Sequence, residues 1–201
     1  PFWAPDSYAY PESQPLQEAG RFRDWRGPYY GFEHVEVMVS HGEIPPGPYA
    51  DWLAAEHPDV LAAAREPHAD SDYPNPGAKD LHASDIPTAL HPSAWLGDRA
   101  SDYLRRRAAD DEPFLCFVGF PDPHHPFTPS RDALERFRDA DVPEPTDLEG
   151  AGLPPYAVHG VKRMVRDLPA EQRKNYIRYT LPIIWQIDHP VRTILDTLHA
   201  D

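Results

Sequence analysis

Apolar and polar positions follow two periods along this chain, and the change from one to the other marks its elements. Residues 32–39 set Phe32, His34, Glu36 and Met38 against Glu33, Val35, Val37 and Val39, the period of two expected of a strand. Residues 93–107 place Trp95, Leu96, Ala100, Tyr103 and Leu104 on one helical face, with Asp98, Arg99, Asp102, Arg105 and Arg106 largely on the other. Residues 49–61 set Trp52, Leu53, Val60 and Leu61 among alanines, which predicts a short helix broken at Pro58. Ser130 is an N-cap for a short surface helix over 130–140, in which Leu134 and Phe137 stand three apart. A helical pattern over 171–178 is continued by Ile183, Ile184, Ile187, Val191, Ile194, Leu195 and Leu198. Pro182 and Pro190 interrupt it, each at about 3 kcal/mol in a helix interior, so the helix is expected to kink or divide. Residues 1–28, 67–87 and 141–155 read as proline-spaced loops.

Residues 114–120 carry no charge, which predicts a strand buried on both faces of a sheet. With the preceding helix and turn, this is α/β grammar. Pro121, Pro123, Pro126 and Pro129 then take the backbone out of the sheet as a stiff loop bearing Asp122, His124 and His125. In open α/β sheets, ligands bind in the crevice at the carboxyl ends of strands, so chemistry is expected at this loop.

Composition narrows the function classes. The 26 prolines among 201 residues exceed twice the usual share of about 5%, so long structured loops wrap one modest core. A net charge of -14 argues against nucleic acid, and an anionic substrate would need a local positive pocket or a metal. No apolar run approaches the roughly 20 residues that span a bilayer. The compartment is left open, with the cytoplasm slightly favoured. Cys116 is the only cysteine, which excludes an internal disulfide, and it reads as a small buried hydrophobe. His68, Asp70, Asp72, Asp80, His82 and Asp85 lie on a polar loop without ligand spacing and read as solvation. The eleven histidines are dispersed, with no tight metal motif among them.

Three stretches together resemble a known family. The segment PDPHHPF after an apolar strand, YGFEHVE at 30–36 followed by His41 and the Tyr49, Trp52 and Leu53 cluster, and residues 91–104 before the strand are similar to the centre of the sulfatase catalytic domain. That arylsulfatase-type family belongs to the alkaline phosphatase superfamily. The resemblance implies an α/β fold, a mixed and mainly parallel sheet flanked by helices, of which residues 1–201 form one partial domain. It implies a sulfuric ester hydrolase acting on a small-molecule or glycan sulfate ester. The His of the family's H-x-P motif touches the sulfate, and that role falls on His124, as sulfate contact or leaving-group proton donor. His125 is a second catalytic candidate, and His91 and Asp122 are substrate-binding candidates.

The family's nucleophile is a formylglycine made from Cys or Ser, and its metal is calcium. The resemblance places both outside this chain, and no metal ligand is expected within it. Cys116 lacks the C-x-P-S-R or C-x-A-S-R setting that formylglycine conversion needs. Pro182, Pro190 and Arg192 depart from the family's long helix with its Ile-Asp pair, here Ile187-Asp188. A phosphate or phosphonate monoester hydrolase of the same superfamily and a noncatalytic scaffold or binding fragment stand as alternatives. No membrane partner is expected, and the oligomeric state is open.

Overall fold

In the chain's long C-terminal helix, two prolines sit inside a continuous helical stretch. The computed structural model describes residues 10–66, 80–108, 110, 112–145, 154–156 and 168–199. Its helices are α1 (Gln14–Glu18), α2 (Pro48–Glu56), α3 (Pro58–Arg65), α4 (Pro92–Arg107), α5 (Arg131–Arg136) and α6 (Ala170–Leu198). A 3-10 turn, Thr88–Leu90, leads into α4. The candidate loop residues His68, Asp70 and Asp72 lie outside the described residues.

The prolines do not divide α6, which runs for 29 residues with Pro182 and Pro190 both buried. Packing accounts for this. A Cβ built on Gly97 of α4 would lie 2.2 Å from Pro190 Cβ and 3.0 Å from its Cα. The absence of a side chain at Gly97 therefore lets the pyrrolidine ring seat directly on the α4 backbone. Contact enthalpy and excluded water at this crossing offset the hydrogen bond that Pro190 removes. Arg192 is exposed and does not disturb the crossing.

The core lies between the helices. Tyr49, Leu53, Leu61, Ala64, Ile86 and Trp95 form one buried cluster, and Leu81, Ala83, Leu134 and Tyr179 form a second. Tyr49 is fully buried and its hydroxyl donates to Leu90 O at 2.9 Å, which ties α2 to the turn before α4. The apolar faces expected of 93–107 and 49–61 are the ones buried, and the second helix does break at Pro58.

The expected α/β fold with a mainly parallel sheet is not what forms. Among the described residues there is no sheet, only isolated bridges at Tyr29–Phe32, Leu81–Phe127 and Ser84–Ser130. Residues 114–120 form no strand, and no backbone hydrogen bond joins them to another described segment. Leu115 is 79% exposed and Phe117 80%, so the segment is not buried on both faces. A doubly buried strand requires a neighbour on each edge and cover on each face. Residues 32–39, the other expected strand, run beside it without pairing. The two enclose a cavity of about 470 Å³ over α4, lined by Val35, Val37, Met38, Leu96, Val118 and Phe120 among others.

One ion pair holds this arrangement to α4. Arg99 donates in fork fashion to Glu36, Nε to Oε2 at 2.7 Å and Nη2 to Oε1 at 2.8 Å. Burial pushes the Glu36 pKa up, but the Arg99 guanidinium outweighs it and holds the carboxyl below its usual value. Because the folded pKa is depressed, the stabilisation is complete above the unfolded value near 4.3 and is lost as pH falls through the folded pKa. Glu36→Gln is expected to cost about 2 kcal/mol at neutral pH, because it leaves Arg99 without its charged partner. Urea melts of wild type and variant at pH 7 and pH 3 check this, and the gap between them should shrink at the lower pH.

Candidate functional site

The loop that follows residue 120 is pinned at both ends. At its start, Ser93 in the first turn of α4 donates from Oγ to Asp122 Oδ2 at 2.5 Å, and the Asp122 side chain is only 6% exposed. At its end, residues 127–131 run parallel to 80–84. Phe127 N donates to Asp80 O at 2.7 Å, Ser84 N to Pro129 O at 2.8 Å and Arg131 N to Ser84 O at 3.1 Å. Ser130 then caps α5, its Oγ accepting from Ala133 N. His124 and His125 stand exposed between these anchors.

His91 lies beneath the loop and not at its surface. It is the N-cap of α4 and 1% exposed. Its Nε2 lies 3.3 Å from Thr128 O and its Nδ1 accepts from Ser93 N at 3.5 Å, which assigns the hydrogen to Nε2. Burial pushes the His91 pKa down against the pull of Asp122, so the ring is held neutral. His91, Ser93 and Asp122 thus form a buried knot that fixes the start of the loop against the first turn of α4. Both nitrogens of His91 are engaged within it, and Asp122 faces α4.

His41 is the residue that residue patterns alone do not bring to this site. It lies more than eighty positions before His124. Ser40 at φ 72° and Gly42 at φ 95° turn the chain on either side of it, and a Cβ on Gly42 would meet Pro126 Cγ at 3.5 Å. The ring centroids of His41 and His124 are 4.0 Å apart, those of His124 and His125 4.3 Å, and those of His41 and His125 5.9 Å. Burial, then the neighbouring His124 and His125, push the His41 pKa down, so its imidazole stays neutral under the loop. Glu43 holds this turn in place: Oε1 accepts from Ser84 Oγ at 2.5 Å and from Asp85 N at 3.1 Å. The sequence cue to it is the resemblance of residues 30–36 and the following His41 to the sulfatase segment.

His124 Nδ1 is hydrogen-bonded to the carbonyl oxygen of His125. The nitrogen must donate there, so Nε2 is the atom available to a substrate or a metal. Cys116 is half-buried, and burial pushes its thiol pKa up, which keeps it protonated and poorly nucleophilic.

Part of the chain is similar in sequence to known sulfatases. The similarity is to two sulfatases, and it relates the chain to that family over part of its length. It is 39% identical over 61 residues, 30% of this chain, to an uncharacterised sulfatase, YidJ, of Escherichia coli (strain K12). It is 38% identical over 56 residues, 28% of this chain, to an arylsulfatase of Clostridium perfringens. These matches cover 12% and 11% of the two relatives, so the chain spans a small part of their length. No protein-family model matches the chain.

The metal that the resemblance implies does not fit the residues present. Calcium takes six to eight oxygen ligands, whereas the one ligand-spaced group among the described residues is His41, His124 and His125, all nitrogen donors. Among the described residues no helix is long and apolar enough to cross a membrane.

Proposed function

We propose that this chain supplies the sulfate-contacting loop of a sulfuric ester hydrolase, with His124 as the residue that meets the sulfate group. The observation that supports this is the exposed His124, its Nδ1 tied to the His125 carbonyl, on a loop held between two fixed anchors in a chain related to sulfatases. A sulfate monoester carries its charge on three equivalent oxygens, and its departure leaves negative charge on the alcohol oxygen. Protonated at Nε2, His124 donates to a sulfate oxygen or passes that hydrogen to the departing alcohol. The His125 carbonyl holds Nδ1 in the donor role and so fixes the ring plane. Neutral His41 beneath adds no competing positive charge of its own. The nucleophile and the calcium ligands belong to other segments in this reading, and the substrate is a small-molecule or glycan sulfate ester.

The test is hydrolysis of a chromogenic aryl sulfate by the full-length protein that contains this chain, beside the matched aryl phosphate and phosphonate. Turnover of the sulfate ester is expected. Turnover of the phosphate or phosphonate alone overturns the assignment.

A further inference from the structure

We propose that His41, His124 and His125 form a binding site for zinc or a similar first-row divalent transition metal ion. The proposal does not rest on the reading of His124 as a sulfate contact, and an ion held at Nε2 would take the place of that contact. Each of the three imidazoles offers one nitrogen, and these nitrogens all lie within 4.8 Å of one another. Tetrahedral zinc with Zn–N near 2.0–2.1 Å needs nitrogens about 3.4 Å apart. His125 is exposed, so its side chain can rotate toward that spacing while His124 keeps its bond to the His125 carbonyl.

Three further features make the cluster a site and not a chance meeting. First, the carbonyl of His125 takes Nδ1 of His124 and leaves Nε2 to carry the lone pair. This is the outer contact that orients metal-binding imidazoles in general. Second, the ligands come from two segments that are held independently of any ion, His41 by the turn fastened through Glu43 and the other two by the anchored loop. Little ordering is left to be done on binding. Third, the ligand chemistry is all imidazole, which suits zinc, copper or nickel and disfavours calcium and magnesium. A net charge of -14 draws cations toward the surface. Three protein ligands leave the fourth position of the ion open to water or a ligand.

The experiment is calorimetric titration of the chelator-treated 201-residue chain with zinc chloride, repeated with cobalt(II) followed by visible absorption. One zinc ion per chain is expected, with the intense bands of four-coordinate cobalt. His41→Asn and His125→Asn should each weaken zinc binding by at least about tenfold, the lower end of the loss seen for disturbed ligand shells. His189→Asn, on the exposed side of α6, should leave it unchanged, and calcium should not displace the ion. Undiminished affinity in both cluster variants overturns the proposal, as does equal weakening by His189→Asn or failure of the natively folded chain to bind. Far-UV circular dichroism reports whether each variant folds. His125→Asn, at an exposed loop position, remains decisive if His41→Asn does not.

Discussion

His124→Ala is expected to lower kcat/KM for an aryl sulfate by about 10²–10³-fold in the full-length protein, the usual loss when a positioned proton donor is removed. That corresponds to roughly 3–4 kcal/mol of transition-state stabilisation. The fall should lie mainly in kcat, because charge on the departing oxygen develops only in the transition state. The ring's exposure implies that truncation disturbs little packing, so thermal stability should change by less than about 0.5 kcal/mol. Steady-state kinetics beside a thermal melt separates the two effects. An ester with a good leaving group should lose less than one with a poor leaving group if the lost function is proton donation. Equal losses on both would point to sulfate contact alone.

Gly97→Ala is expected to destabilise the fold by about 3 kcal/mol, the upper part of the range for overpacking a close contact. Intrinsic propensity argues the other way, since alanine exceeds glycine by up to about 1 kcal/mol inside a helix. The geometry decides between them. A methyl group 2.2 Å from Pro190 Cβ has nowhere to go, because the opposing atom belongs to a ring fused to the α6 backbone. For a chain of this length the loss lowers Tm by roughly 6–12 °C. A differential scanning calorimetry trace showing a raised Tm would mean that α4 and α6 do not meet this closely.

What could be read from the sequence depended on whether the signal was local. The buried faces of α2, α3 and α4, the break at Pro58 and the cap at Ser130 were legible because periodicity and capping are set by neighbouring residues. The continuity of α6 was not, because tolerance of Pro190 depends on the missing side chain of Gly97, on a different helix. The sheet failed for the same reason. An uncharged run such as 114–120 states what environment would suit a strand, but pairing requires a partner, and among the described residues none is hydrogen-bonded to it. At the site, the proline spacing correctly indicated a fixed loop bearing His124 and His125. It gave no hint that His91 is a buried N-cap or that His41 lies 4.0 Å from His124 between ring centroids.

The segment at 80–85 acts as a shared ruler for the histidine cluster. Glu43 fastens the His41 turn to Ser84 and Asp85, while the backbone of Asp80, His82 and Ser84 carries the far end of the His124 loop. The separation between His41 and His124 is therefore read off a third strip of chain that contributes nothing to the cluster itself. Lengthening that strip by one residue would shift both halves of the site by unequal amounts. Its spacing is consequently as much a part of the chemistry as the imidazoles are.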